Sequence, residues 1–249
     1  MRGRVAPVTV VVPCFNEAEG LPMLLARLAA LRRGAAADWQ VLFVDDGSSD
    51  DTFAQLLRAA RDARWVSVLR HHENRGLGAA LRTGFAHVQS PIVCTIDSDC
   101  TYPPERLPEL TELVEQGADI ATASAWHPDS AAAAEGSRMR LLLSRQVSGI
   151  YRGLLGRDVH TFTCLFRAYN LRVLRRIRFR GDGFSAVAEI FLKAMLAGYR
   201  VREVPMALET RRFGESKLRV GDAVLAHAHL ITLTTLAVGA RQARQVFGR

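Results

Sequence analysis

Cysteine is scarce in this chain, four in 249 residues, and no two cysteines form a CxxC pair or take zinc-ligand spacing. Cys14, Cys94, Cys100 and Cys164 therefore argue against a zinc module or a disulfide scaffold and fit a reduced, intracellular protein. A long apolar run is missing from the N-terminus. The short one in MRGRVAPVTVVVPCFN ends too soon for a signal peptide and fits a first strand. Walker A sequences and internal repeats are also lacking. Aromatic residues make up 7% and are rarely interleaved with basic ones, which argues against a nucleic-acid surface. Charged residues reach only 23% and hydrophobic ones 49%, so the chain suits one large α/β domain with or without a C-terminal appendage. The net charge of +8 favours anionic partners such as nucleotide phosphates or anionic lipid.

The apolar pattern alternates between short β-branched runs and helical periodicity. Strands are expected at 8–12, 41–44, 66–69, 92–96 and 120–124, with helices at 18–32, 52–62, 77–88 and 105–116 between them. Pro13 is expected to stop the first strand. Such alternation predicts βαβ units and a mostly parallel, Rossmann-like sheet flanked by helices. Ligands bind such sheets outside the carboxyl ends of the strands, where Pro13, Asp45 and Asp97 fall. After Ser124 a loop precedes a helix at 138–155 that carries Arg138, Arg140, Arg145 and Arg152. A strand at 163–168, a helix at 185–197 and a strand at 201–208 complete the expected α/β unit.

Chemistry concentrates in short segments. Asp97-Ser98-Asp99 follows an apolar strand, and a continuing strand would turn both carboxylates to one side. Hard oxygen ligands so placed suit Mg²⁺ or Mn²⁺ bridging a diphosphate. Asp45-Asp46-Gly47-Ser48-Ser49-Asp50 ends the second strand, where Asp and Ser suit a capped helix start. Buried acids there also need partners, which a base or ribose hydroxyl would supply to Asp45. In Asn74-Arg75-Gly76-Leu77-Gly78 the glycines permit close backbone approach to a ligand. The segment follows the third strand and lacks the last glycine of a dinucleotide fingerprint, which argues against an NAD site. Arg211-Arg212-Phe213-Gly214-Glu215-Ser216-Lys217 spaces cations around a glycine, as a loop closing over phosphates would.

Together with Pro13-Cys14-Phe15-Asn16-Glu17, these segments occur in the order seen in one family. The chain resembles family 2 glycosyltransferases over residues 8–220, and within them the polyprenyl-phosphate (dolichol-phosphate mannose synthase-like) branch. The resemblance implies a GT-A fold and inverting transfer from a nucleoside-diphosphate sugar, GDP-mannose or a UDP-sugar, to a polyprenyl phosphate. It implies nucleotide contacts from Pro13, Phe15, Glu17, Asp45, Asp46, Gly76 and Ser98, and Mg²⁺ or Mn²⁺ on Asp97 and Asp99. Arg211 and Lys217 would reach the donor phosphates, and Arg140 with Ser144 matches an acceptor-phosphate Arg-x-x-x-Ser pattern. Two departures stand out. Thr101 replaces a frequent metal-contacting Gln, and Ser124-Ala125-Trp126-His127 lacks a frequent acceptor-side Arg.

An alcohol acceptor, soluble or lipid, would need a general base, for which His127 and His160 are the candidates. A reading from another class is a non-catalytic nucleotide-binding scaffold protein. Residues 1–220 are expected to form the catalytic domain and 221–249 an apolar helix with a basic tail. Residues 223–240 contain no Asp, Glu, Lys or Arg, so that helix fits a core or oligomer contact, a membrane-interface element or a span. The expected location is the cytoplasm, at the cytoplasmic face of an anionic membrane.

Overall fold

The computed structural model describes residues 6–35, 37–130, 138–209 and 220–247. Seven strands form one sheet: β1 (Val8–Cys14), β2 (Trp39–Asp45), β3 (Val66–Arg70), β4 (Ile92–Thr95), β5 (Ile120–Ser124), β6 (Arg167–Asn170) and β7 (Val201–Pro205). Their order is β3-β2-β1-β4-β6-β5-β7. β6 runs antiparallel to both β4 and β5, while the other pairings are parallel.

The helices are α1 (Leu21–Gly34), α2 (Thr52–Asp62), α3 (Leu77–His87), α4 (Leu107–Glu115), α5 (Arg138–Leu155), α6 (Leu171–Arg176), α7 (Ser185–Leu196) and α8 (Val220–Phe247). Strand alternation sorts them into two layers. Val8, Val10, Val12 and Cys14 of β1 face one core with Leu21, Leu24 and Leu28 of α1, Leu56 of α2 and Leu107 and Leu110 of α4. Val11 faces the other core with Leu81 and Phe85 of α3, Tyr151 of α5, Val173 of α6 and Phe191 of α7.

Most expected elements occur, with differences that have local causes. Pro13 does not end β1. It remains in register with Val44 of β2. The Val11 carbonyl accepts from Ile96 N–H on the β4 side, and the Cys14 carbonyl accepts from Asp46 N–H on the β2 side. Alternation thus turns the Pro13 nitrogen toward β4, whose pairing with β1 ends at Thr95, so no ladder bond is lost there. The strand expected at 163–168 is displaced to Arg167–Asn170. The short helix α6 follows it directly, capped by Asn170, whose Oδ1 accepts from Arg172 N–H.

Arg167 secures the reversed strand. It is fully buried. Its Nε donates to Thr122 Oγ1 at 3.1 Å, and its terminal nitrogens donate to the carbonyls of Val187 at 2.8 Å and Phe162 at 2.7 Å. The guanidinium also lies 3.9 Å from the centroid of the Phe191 ring. One side chain thereby joins β5, β6, α7 and the segment before β6. Replacing Arg167 with Met leaves those buried acceptors short of a donor. The expected loss of stability is about 3 kcal/mol, read as a lower urea midpoint. A loss below about 1 kcal/mol would show that Arg167 does not hold this junction.

Candidate active site

The carboxyl ends of β1, β2 and β4 open on the same edge of the sheet. The turn after β2 holds the turn after β1. Asn16 and Glu17 donate their backbone N–H groups to Ser48 Oγ at 2.9 Å and Thr52 Oγ1 at 2.8 Å, and Ala18 N–H donates to Asp50 Oδ2 at 3.1 Å. Asn16 Oδ1 accepts from Ser49 N–H at 2.8 Å while the residue itself sits at φ 53°, a conformation Asn tolerates. Burial tends to raise the Asp50 pKa, but hydrogen bonds from Thr52 and Ala18 outweigh it and hold the carboxyl below its ordinary range. Ser48, Ser49, Asp50 and Thr52 thus act as a lacing for the 14–18 loop, a role their spacing alone did not reveal.

Asp46 performs a similar task for the loop before α3. Its Oδ1 pairs with His71 Nδ1 at 2.6 Å and accepts from Arg75 N–H at 3.0 Å, and its Oδ2 accepts from Gly76 N–H at 2.7 Å. The carboxylate expected to meet a nucleotide thus also shapes the wall of the cavity that it lines. The glycines of this loop likewise serve another segment of the chain. Gly76 has φ +92°, and a Cβ there would overlap the Asp182 carbonyl; one on Gly78 would overlap Gly181 O. Gly78 N–H donates to Asp182 O at 2.6 Å. The 181–182 backbone is held from its other side by Glu189 of α7, which accepts from Arg180 N–H at 3.1 Å and Gly181 N–H at 2.8 Å and pairs with Lys193 at 2.5 Å.

These contacts bound a cavity of about 300 Å³. Pro13, Phe15 and Glu17 line it from the first turn, Asp46, Asn74, Gly76 and Leu77 from the second and third, and Asp97, Ser98 and Asp99 from the turn after β4. Gly183 and Phe184 complete it. Asp45 is not in this lining. Its carboxylate is fully buried, accepts from Ser48 N–H at 3.2 Å, and has Arg70 Nε 3.1 Å from Oδ2. Oδ2 nevertheless receives no hydrogen bond.

Asp97 and Asp99 do not share a side through strand alternation, because β4 already ends at Thr95. They meet the same cavity through a turn whose exit is Cys100 at φ 55°. Thr101 has a use at its position: its N–H and Oγ1 both donate to Asp99 Oδ1, at 3.0 and 2.9 Å. It orients the second aspartate from the residue position where the family often has Gln.

A second cavity, of about 250 Å³, adjoins the first and is mostly apolar. Leu77, Asp97 and Phe184 line both. Leu141, Leu143, Ser144 and Val147 of α5, Trp126 and Thr161, and Ala223 and His227 of α8 surround the rest. Ser144 Oγ accepts from Trp126 Nε1 at 3.1 Å and lies 2.7 Å from Thr163 Oγ1. His227 Nδ1 is 3.0 Å from the Tyr151 hydroxyl, and burial pushes the imidazole pKa down, favouring the neutral ring. His127 and His160 line neither cavity. Arg211 and Lys217 lie outside the described residues, as does the side chain of Arg140, which falls on α5. Phe184 and His227 were missed from sequence because an isolated aromatic after glycine and a lone His in an apolar helix carry no spacing signal.

Residues 9–178 match the model described as Glycosyl transferase family 2. The chain belongs to glycosyl transferase family 2. It is an enzyme of the glycosyltransferase class with a GT-A fold. Undecaprenyl-phosphate 4-deoxy-4-formamido-L-arabinose transferases from Salmonella dublin and Salmonella gallinarum are each 31% identical over 234 residues, covering 92% of this chain and 67% of the relative. Crystal structures of glucosyl-3-phosphoglycerate synthase from Mycobacterium tuberculosis share the fold. The complex with Mn²⁺ and UDP-glucose has a TM-score of 0.70 at 19% identity, covering 94% of this chain and 79% of that one. The complex with Mn²⁺, UDP and glucosyl-3-phosphoglycerate has a TM-score of 0.68 at 20% identity, covering 94% and 80%.

Two outcomes test this wall. Gly78→Ala forces the 181–182 backbone away from α3, with an expected cost of about 2 kcal/mol or more and weaker nucleotide binding by calorimetry. Wild-type stability and affinity in that variant would overturn the close-approach argument. Burial tends to raise the Glu189 pKa, but Lys193 and the Gly181 and Arg180 N–H groups hold it below the ordinary 4.5. Its contribution to stability is complete above that value and is lost as pH falls through the lower folded pKa. Denaturation midpoints from pH 6 down to about pH 3 should therefore fall less steeply in Glu189→Gln than in wild type; parallel curves would refute the assignment.

Proposed function

We propose that this enzyme transfers a sugar from a nucleoside-diphosphate donor to a polyprenyl phosphate at the cytoplasmic face of a membrane. The observation that carries this reading is the position of Asp97. It belongs at once to a cavity with acidic and backbone polar groups and to an apolar one. The first suits a sugar nucleotide, and the second suits a lipid acceptor brought to the same carboxylate. The relatives' name supports the acceptor class, since they are called undecaprenyl-phosphate transferases.

Pro13, Phe15 and Glu17 would border the nucleoside, with Ser98 beside it. Asp45 Oδ2, buried and without a hydrogen bond, offers an acceptor to a base N–H once the half-exposed Arg70 swings aside. Asp97 and Asp99 fit Mg²⁺ or Mn²⁺, because two carboxylates oriented into one cavity are a hard oxygen donor set. The fold neighbours were crystallised with Mn²⁺. When bound, the ion supplies charge neutralisation for the departing diphosphate. Arg211 and Lys217 would add positive charge from the 210–219 segment. Ser144 and Arg140 would face the acceptor phosphate from α5. That phosphate is already anionic near neutral pH, so attack on the anomeric carbon needs no strong base. The reaction would invert that carbon.

Residues 1–220 would carry catalysis and the C-terminal helix would meet the membrane. Val220–Arg241 is long and apolar enough to cross a membrane by length and composition. Its inner face packs Ala223, His227, Leu230 and Thr234 against the protein, whereas Val224, Leu225, Leu233 and Leu236 are exposed. Met139, Leu142 and Ile150 of the neighbouring α5 are exposed as well. An apolar face of this kind beside basic residues suits the surface of an anionic bilayer. The cysteines among the described residues are free and buried, in keeping with a reducing compartment.

A screen of GDP-mannose and UDP-sugars against a short polyprenyl phosphate, with product mass measured, tests the reaction. The expected product is a glycosyl polyprenyl phosphate formed only with Mg²⁺ or Mn²⁺. Turnover confined to a soluble alcohol would overturn the acceptor. Asp99→Ala should lower kcat on the order of 10³-fold, and unchanged turnover would remove its metal role. Leu225→Asp combined with Leu236→Asp should abolish flotation with anionic vesicles while leaving nucleotide binding intact. Undiminished flotation would exclude the α8 surface as the membrane contact.

A further inference from the structure

Away from both cavities, side chains with metal-binding chemistry converge behind the wall that carries Trp126 and Thr161. His127 lies on the loop after β5, His160 precedes β6, and Glu203 lies in β7. One ligand atom from each lies within 4.8 Å of the others. β6 stands between β4 and β5 in the sheet, so this cluster is separate from Asp97 and Asp99 at the end of β4. We propose that His127, His160 and Glu203 form a second metal site, selective for a first-row ion of the zinc class, that ties the loop after β5 to the segment before β6.

Glu203 is already fixed for such a task. Its side chain is 6% exposed. Its oxygens accept from the backbone N–H groups of His160, at 2.9 and 3.0 Å, and Thr161, at 3.1 Å. Nδ1 of His160 lies 2.9 Å from Glu203 Oε2. A tetrahedral ion with bonds of about 2.0–2.1 Å needs ligand atoms roughly 3.3 Å apart. The His160–Glu203 pair is thus nearly at ligand spacing, with a proton where the ion would sit. When the ion binds, that proton passes from Nδ1 to Nε2. Asp158 Oδ1 stands 3.5 Å from Nε2, where it can accept the displaced proton's hydrogen bond. A histidine that ligates through one nitrogen and faces a carboxylate with the other has the usual outer-shell arrangement.

His127, whose ligand atom lies within 4.8 Å of the other two, must approach by up to about 1.5 Å to reach tetrahedral spacing. Its Nδ1 accepts from Asp129 N–H at 3.2 Å, a contact within its own loop that either moves with the ring or gives way to the ion. Its side chain is 24% exposed, on a loop, and its ring lies 5.1 Å from the His160 ring, edge to face. Two imidazoles and one carboxylate favour zinc over the hard ions suited to an all-carboxylate site, and a water would take the fourth position. The consequence reaches the acceptor-side cavity. Trp126 and Thr161, each next in sequence to a ligand, line that cavity, and Trp126 N–H donates to Thr161 Oγ1 at 3.2 Å. An ion bound behind them braces this wall.

The test is calorimetric titration of the Asp97→Ala, Asp99→Ala double variant with Zn²⁺, so that binding at those residues does not contribute. One Zn²⁺ per chain is expected, bound at micromolar affinity or tighter. Adding His127→Ala should weaken it on the order of 100-fold, and adding Asp158→Asn roughly 10-fold. Zn²⁺ should raise the thermal midpoint of the double variant but not that of the version with His127→Ala. Equal midpoints of those two proteins without metal will show that the fold is retained. No Zn²⁺ binding to the double variant, or equal binding with and without His127, would overturn the site.

Discussion

The cavity depends on the Asp46 carboxylate more than on any other single group. A buried carboxylate is costly unless its lone pairs are used. Here His71 and the backbone N–H groups of Arg75 and Gly76 use them. That arrangement fixes the loop entering α3, and the loop then meets the 181–182 backbone at a distance only glycine allows. Glu189 holds the same backbone from α7. The placement of Phe184 follows from this sequence of contacts. A change at Asp46 would thus be felt at Phe184, far away in sequence, where the two line the same cavity from different loops.

Sharing of Asp97, Leu77 and Phe184 between the two cavities imposes a geometry on any transfer. On the proposed reading, a donor held by the 13–17 and 97–99 turns would present its sugar at the boundary those residues form. An acceptor entering between α5 and α8 would arrive at the same boundary from the other side. The parallel strands explain the donor half, since their carboxyl ends gather the turns on one edge. The apolar cavity needs the reversed strand β6, because the 158–166 segment that leads into it supplies Thr161, Thr163, Cys164 and Leu165 to its lining. Arg167 is therefore more than a core curiosity. Its bonds to Thr122, Phe162 and Val187 hold the strand whose leading segment lines the apolar cavity.

How much of this was legible follows from the range of the forces involved. Strand and helix periods are local, and β1 to β5 with their helices could be read from apolar spacing alone. Pro13 was misread because its effect depends on which neighbour its nitrogen faces, a property of sheet order rather than of sequence. Gly76 and Gly78 were read as room for a ligand; Gly76 does line the cavity, but both glycines also admit the close approach of the 181–182 backbone, a hundred positions later. Asp45 and Asp46 look alike in sequence, yet one is buried against Arg70 and the other clamps a loop. The Asp97–Asp99 pair was legible for a partly different reason than expected: a turn, not strand alternation, brings both carboxylates to one cavity. Phe184 and His227 act through tertiary position only.

His227 links the C-terminal helix to the apolar cavity. A helix that only touched a membrane would gain nothing from a buried imidazole, since burying a polar ring without a partner costs free energy. The Tyr151 hydroxyl supplies the partner, and so docks α8 against α5 at one point. Ala223, Leu230 and Thr234 continue the inner face, and Arg241 reaches back to the Leu196 carbonyl at the end of α7. The helix is thereby a wall of the apolar cavity on one side and an apolar surface on the other. Any force that moves its outer face, including insertion into lipid, must also move His227 and Ala223 at the cavity. On the proposed reading, membrane contact and acceptor entry would be governed by the same helix, which is the arrangement a water-soluble donor and a lipid-borne acceptor would require.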